Sequence, residues 1–152
     1  MRLCTLKIIG HVESPVQAQT DEHWGNVESR IVLLPEYRTG LRGIEEFSHA
    51  LIVTYLHQAR FDPSKHLVRR PRGLADMPEV GIFAQRAKDR PNPIGITAVP
   101  IVGVESGILV VRGLDTMDGT PVVDIKPYYP AYDRVGSATV PEWVDSLMTD
   151  YF

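Results

Sequence analysis

The residues of this chain best suited to chemistry gather where apolar runs stop. His57 and Gln58 follow the most apolar run, Ser48 to Leu56 (SHALIVTYL), and Arg86 follows Val80 to Gln85 (VGIFAQ). Asp118, Gly119, Thr120 and Pro121 form a turn signal that opens the run PVVDI, along which and just beyond which Asp124, Lys126 and Tyr128 alternate. In a small barrel the ends of strands converge on one rim, where an imidazole, an amide, a guanidinium and a carboxylate make the mouth of a ligand pocket. Taken singly, each of these residues is more simply a solvated turn residue. What singles them out is that they share one kind of position.

Between two of these sites lies IFAQRAKDRPNPIGIT (82–97), with Arg86, Lys88 and Arg90 in five residues and then Pro91-Asn92-Pro93. Proline fixes its own φ and pushes the residue before it toward extended backbone, here Arg90 and Asn92. The segment is therefore a stiff, non-helical loop with little conformational freedom left to lose. Such a loop serves as a rigid connector or as a preorganised wall for a ligand, and local physics leaves both open. A second basic stretch, KHLVRRPR (65–72), supplies Lys65, Arg69, Arg70 and Arg72. On the same side as the first it would hold a polyanion through phosphate contacts; otherwise it is an ordinary charged loop.

Familiar catalytic templates are missing: there is no glycine-rich dinucleotide or phosphate loop, no CxxC pair, no H-x-x-x-H and no G-x-S-x-G. His11, His23, His49, His57 and His66 are scattered without ligand spacing, so no metal site is expected; His49, next to Ser48, reads as a hydrogen-bonded structural histidine. The 152 residues suffice for one domain, with 43% hydrophobic and 23% charged residues as in an ordinary globular protein. A net charge of −3 argues against a general nucleic-acid coater, so any phosphate contact must be local. The single cysteine, Cys4, excludes an internal disulfide and reads as a small buried residue of a strand. The N-terminus alternates too quickly for a signal peptide and no run approaches a membrane span, which together point to a cytoplasmic protein.

The elements that must position these residues are short. Strands are expected at Leu3 to Val12, Glu28 to Leu34, Ser48 to Leu56, around Leu67 to Arg70, Val80 to Gln85, Ile94 to Val104, Ile108 to Arg112 and Pro121 to Ile125, with a helical turn at Leu41 to Phe47. Pro100 removes a ladder donor and implies an edge or a bulge in its strand. Glu105-Ser106-Gly107 reads as a hairpin turn. Twelve glycines and twelve prolines spread along the chain mark frequent turns. Trp143, Leu147 and Tyr151 recur at intervals of four after Pro141, which predicts a C-terminal helix over about 141–150. The sum is a mainly β single domain over 1–152, a small antiparallel or mixed barrel of about seven strands with short helical turns.

The run from Gly81 through Arg86 and Pro91-Asn92-Pro93 to Gly95 closely resembles the signature of the TsaA-like (TrmO) family. IGHVESP (9–15), GLRGIEEFSHALIV (40–53), VRRPRG (68–73) and DGTPVVDIKPYYP (118–130) match that family too, in the same order, over roughly 7–133. The resemblance implies a small β-barrel that binds S-adenosyl-L-methionine, usually as a homodimer with the cofactor near the subunit interface. It implies methylation of the exocyclic nitrogen of threonylcarbamoyladenosine beside the tRNA anticodon. An enzyme using the same cofactor on a small molecule, and a non-catalytic cofactor-binding module, are the alternatives. By motif, the cofactor contacts fall on His57, Gln58, Arg86, Ile96, Asp118, Gly119, Thr120 and Pro121. The loop Gln17 to Asn26 departs from the family's proline-arginine-glutamine pattern, leaving one family contact without a counterpart. For proton transfer from a poorly nucleophilic nitrogen, Asp124, Lys126 and Tyr128 are the available candidates. Arg69, Arg70, Lys88 and Arg90 are the candidates for the tRNA backbone.

Overall fold

A computed structural model describes all 152 residues. Eight strands form: β1 (Gly10–Glu13), β2 (Glu28–Leu33), β3 (His49–Tyr55), β4 (Val68–Arg69), β5 (Val80–Gly81), β6 (Ile94–Glu105), β7 (Ile108–Arg112) and β8 (Pro121–Pro127). Six of them close an antiparallel barrel in the order β1-β2-β7-β6-β3-β8, while β4 and β5 pair apart from it as a two-stranded sheet. The mainly β barrel expected from the sequence is therefore present, with six strands in its wall where about seven were expected. Three short α-helices, α1 (Pro63–His66), α2 (Pro130–Asp133) and α3 (Glu142–Leu147), and four 3-10 turns decorate it.

Alternation drives the barrel. Ser29, Ile31 and Leu33 of β2 and Ala50, Ile52 and Thr54 of β3 point inward and are buried, with polar or half-exposed residues between them. Ile31, Leu33, Ala50 and Ile52 meet Val12, Val99, Leu109, Val111, Leu114 and Val122 in one core. Pro100 opposes His49 of β3, and beyond it β6 changes neighbour: Ile101 to Glu105 pair with β7, with a register shift between Ile101 and Gly103. The missing N–H thus falls where the strand hands over from one ladder to the next. It also means that Ile94 to Val99 are paired with β3 on one edge and with no strand on the other.

Four expectations are corrected. The first strand begins at Gly10, not Leu3: β2 ends opposite it at Leu33, before Pro35, and the ladder with β8 also stops at Gly10, opposite Val122. Leu3 to Ile8 alternate correctly but pair with no strand; Leu3 is 88% exposed and Cys4 is exposed, not buried. VGIFAQ is a strand only at Val80–Gly81, after which Ile82–Ala84 turn in a 3-10 helix that buries Ile82. The C-terminal helix covers Glu142–Leu147, and Asp150 at φ 61° takes the chain out of helical geometry.

The segment between β3 and β6, Leu56 to Pro93, is a long excursion whose two ends are tied by Leu56 N–H donating to the Pro93 carbonyl at 2.7 Å. Inside it, buried Gln85 donates to the carbonyls of Arg69 and Val80 at 3.0 and 2.9 Å and so clamps β4 to β5. Asp89 is the second clamp. It accepts from the Arg60 backbone N–H at 2.8 Å and from Lys88 Nζ at 3.1 Å, with Arg69 Nη1 and His66 Nε2 at 3.9 and 4.0 Å. Burial pushes the Asp89 carboxyl up, but the Arg60 amide and the Lys88 ammonium outweigh it and hold it below the ordinary carboxylate value.

Two predictions follow from this packing. A Cβ on Gly10 would lie 2.4 Å from the Val32 carbonyl oxygen and 3.0 Å from Leu33 Cα, both backbone. Gly10→Ala therefore costs about 1–3 kcal/mol in chemical unfolding, by forcing β1 off β2. Because the folded Asp89 carboxyl lies below its unfolded value, its ionic contribution is present above about pH 4 and is lost as pH falls through the folded value. Asp89→Asn should lower stability by ~1 kcal/mol or more at pH 7, with the difference from wild type shrinking below about pH 4 in paired urea melts.

Candidate functional site

β3 runs antiparallel to both of its neighbours. Tyr55 opposes Ile94, Thr54 opposes Gly95 and Val53 opposes Ile96 on β6, while Thr54 opposes Val122 on β8. The C-terminal end of β3 therefore lies between the starting ends of β6 and β8. This register alone brings His57 and Gln58, Ile96 and the turn Asp118–Pro121 to one rim. The excursion adds Arg86, whose Nη2 donates to the Ile96 carbonyl at 2.5 Å. Gly95 can sit there only without a side chain, since a Cβ would lie 2.7 Å from Thr54 Oγ1.

The Asp118–Pro121 turn is held from β1 and the loop after it. Asp118 Oδ1 accepts from Ser14 N–H at 2.9 Å, Asp118 N–H donates to Val16 O at 2.7 Å, and Gly119 N–H donates to Val12 O at 2.8 Å. Gly119 stands at φ 80°, the left-handed geometry that suits glycine. Thr120 is buried and its hydroxyl closes the turn on the Met117 carbonyl at 2.7 Å, so that side chain is engaged within the turn. His57 Nδ1 is buried with no hydrogen-bond partner, an orphan polar atom of the kind a ligand satisfies. Ile96 is 47% exposed on the outer face of the barrel, beside the exposed Ile94 and Tyr55. Polar donors, an unpartnered imidazole nitrogen and an open apolar side chain suit a ligand that carries both a charged end and a flat apolar ring.

The three candidates for proton transfer separate. A register shift between Val53 and Thr54 leaves Val123 as an extra residue of β8 and turns Asp124 and Lys126 to the outer face. Asp124 opposes Val53, which opposes Ile96, so Asp124 and Ile96 share one outer row two strand spacings apart, about 10 Å. Lys126 Nζ lies 2.9 Å from Asp124 Oδ2, and this hydrogen bond, with the carboxylate's charge, raises the Lys126 ammonium above its ordinary value. Tyr128 does not join them. Its N–H bonds the His49 carbonyl at the other end of β3, seven residues beyond Pro121, roughly 23 Å of strand. There it faces His49, whose Nδ1 is 2.8 Å from Ser48 Oγ.

The four candidate cations for RNA are drawn into the excursion. Arg70 donates to the Met77 carbonyl, and Arg90 donates to the carbonyls of Gln85 and Ala87 at 2.9 and 3.2 Å. Arg69 and Lys88 share Asp89. An irregular segment has carbonyls that no ladder satisfies, and long cationic side chains reach them. Sequence reasoning missed Asp89 and also Asp115, which accepts from the hydroxyls of Thr97 and Tyr151. Neither residue has a local pattern that reports a partner so far along the chain. No group of three or more His, Cys, Asp or Glu is arranged to hold a metal ion, and no helix is long and apolar enough to cross a membrane.

Comparison with known proteins is consistent with this geometry. The model of the tRNA-methyltransferase O N-terminal domain matches residues 10–134. A Pyrococcus abyssi protein described as a probable S-adenosyl-L-methionine-binding protein is 41% identical over 78% of this chain and 60% of its own length. An Archaeoglobus fulgidus S-adenosyl-L-methionine-binding protein is 39% identical over 86% of this chain and 93% of its own. The Escherichia coli tRNA (adenine(37)-N6)-methyltransferase is 39% identical over 75% of this chain and 50% of its own. Among solved structures, TrmO from Pseudomonas aeruginosa superposes with a TM-score of 0.73 at 32% identity, covering 91% of this chain and 62% of that one. The chain thus spans one half to about three fifths of several relatives and nearly all of another. With the match running from β1 through α2, the chain belongs to the tRNA-methyltransferase O N-terminal domain family.

Proposed function

We propose that this chain is an S-adenosyl-L-methionine-dependent N-methyltransferase acting on the exocyclic nitrogen of threonylcarbamoyladenosine next to the tRNA anticodon. The observation that carries the reading is the convergence of Arg86 and Ile96, joined by a hydrogen bond, with His57 and the Asp118–Pro121 turn on one rim. The names of the relatives support the cofactor and, for the Escherichia coli one, the tRNA.

The bound cofactor would supply an activated methyl group on a sulfonium, so the protein has chiefly to align donor and acceptor. Arg86 would pair with the carboxylate of its amino-acid end. His57 Nδ1 would gain the partner it lacks, and Gln58 lies beside it. Ile96 would pack on the adenine, and Asp118, Gly119 and Pro121 would meet the nucleoside from a turn that cannot shift without breaking its bonds to β1. Asp124, in the same outer row as Ile96, is the carboxylate we assign to take the proton released from the acceptor nitrogen, with Lys126 holding it in place. Tyr128 serves the opposite rim. Phosphate contacts would fall to Arg69 and Lys88, whose shared partner Asp89 a phosphate would have to displace, because Arg70 and Arg90 are held by backbone carbonyls.

Ile94, Ile96, Val102 and Tyr55 leave an apolar strip exposed on the outer face of β3 and β6. A second copy of the chain covering that strip would make a homodimer and shield the site from water. We read 1–152 as one domain of this kind, working in the cytoplasm. The archaeal relatives are named for binding alone, which keeps a non-catalytic cofactor-binding module as the second reading.

Arg86→Ala should weaken S-adenosyl-L-methionine binding at least tenfold by calorimetry, roughly the cost of removing one charge-assisted hydrogen-bonding group; wild-type affinity in the variant would overturn the site. Asp124→Asn should slow methyl transfer while leaving cofactor affinity unchanged. Mass spectrometry of tRNA nucleosides from cells with and without the gene tests the substrate. A methylated threonylcarbamoyladenosine that persists without the gene would refute it, and cofactor binding with no methylated RNA would favour the second reading.

A further inference from the structure

Residues 135–152 lie beyond the span matched by the family model, yet the end of this tail is tied to the loop between β1 and β2. His23 N–H donates to the Asp150 carbonyl at 2.7 Å and Trp24 N–H to the Tyr151 carbonyl at 2.8 Å, so two successive backbone groups of the β1–β2 loop hold the tail. A Cβ on the next residue, Gly25, would lie 2.7 Å from the Phe152 carbonyl carbon, and only glycine leaves the tail room. Trp24 is itself buried, its indole N–H donating to the Thr20 carbonyl at 3.2 Å. This is the loop whose sequence departs from the family pattern. The unusual loop and the tail are therefore two halves of one contact.

Tyr151 reaches from this contact toward the candidate site. Its hydroxyl donates to Asp115 Oδ2 at 2.5 Å, and the other carboxylate oxygen accepts from Thr97 Oγ1. The Arg72 guanidinium lies 5.7 Å from the centre of its ring and is 3.8 Å from Asp21 of the same β1–β2 loop, while Phe152 packs edge-on at 4.8 Å. Thr97 is the residue after Ile96, on the stretch of β6 that has no strand on its second edge. Asp115 lies three residues before Asp118, in the loop that ends in the Asp118–Pro121 turn. Burial and the Asp115 carboxylate push the Tyr151 hydroxyl above the ordinary tyrosine range, so it remains a donor at physiological pH.

We infer that Tyr151 is a positioning residue for the cofactor site, a strap that braces Asp115 while the other oxygen of that carboxylate ties Thr97 of β6, beside Ile96, to the loop that presents Asp118–Pro121. The inference rests on the reading of that rim as the S-adenosyl-L-methionine site. The physical basis is direct. Asp115 joins β6 to its own loop through Thr97 and is braced by Tyr151; without the Tyr151 hydroxyl one half-buried carboxylate oxygen is unsatisfied and the carboxylate is no longer held in the orientation that accepts from Thr97. A rim fixed before the ligand arrives loses less conformational entropy on binding.

The test uses the full chain with Tyr151→Phe, and Gly25→Ala as an independent way to dislodge the tail without touching the hydroxyl. Amide hydrogen exchange is measured without ligand, and S-adenosyl-L-methionine affinity by calorimetry. The strap predicts faster exchange confined to about 95–98 and 113–120, unchanged protection of β1 and β2, and affinity roughly fivefold to tenfold weaker in both variants. A purely structural role would instead speed exchange across the whole barrel in step with lost thermal stability. That result, or local exchange with wild-type affinity, would overturn the inference. Failure of the wild-type chain itself to bind S-adenosyl-L-methionine would refute the site reading beneath it, an outcome distinct from wild-type-like binding by the variants.

Discussion

The antiparallel register of β3 with both β6 and β8 is the constraint on which the rest depends. It places the end of one strand between the beginnings of two others, so a chain segment leaving β3 and segments entering β6 and β8 meet at one edge of the barrel. A shift of one residue in either ladder would turn Ile52 outward and Val53 inward, at the cost of the core. The geometry of the rim is thus held by buried apolar contacts far from any polar group that lines it. Barrel stability and site geometry are aspects of one arrangement.

The barrel and much of its rim could be read from residue order because both rest on local signals. Alternation in ESRIVLL and SHALIVTYL, the hairpin at Ser106-Gly107 and the turn at Asp118-Gly119 each announce themselves within a few residues. Pro100 signalled a break in its ladder, and the structure puts the hand-over between partners there. Where the reading went astray, a distant partner decided. Leu3 to Ile8 have a strand's alternation but pair with no strand, and Cys4 is exposed with them. VGIFAQ has a strand's composition, but Gln85 is needed to cross-link β4 and β5, and Ile82–Ala84 turn to bring it there.

The charged residues show the same division more sharply. Five residues carrying three cations look like a surface for phosphate, yet the structure sets Lys88 against Asp89 and Arg90 against two carbonyls. Only Arg86 of the three reaches across to the barrel. Nothing in the spacing of Asp115 and Tyr151, or of Arg72 and Asp21, reports that they meet, because their proximity depends on how the tail returns to the loop after β1. Sequence signals describe the frame of this molecule better than the clamps that finish it.

The excursion between β3 and β6 has a further meaning for how such a protein diversifies. Its ends are joined by a single backbone hydrogen bond between Leu56 and Pro93, so topologically it is the oversized tip of one hairpin. The entropy of closing a loop grows only with the logarithm of its length. The tip can therefore lengthen, shorten or be exchanged while the ladder beneath it stays in register. Its internal anchors, Gln85 and Asp89, travel with it. A lineage could graft a different tip onto the same barrel and acquire a new recognition surface without having to rediscover the fold.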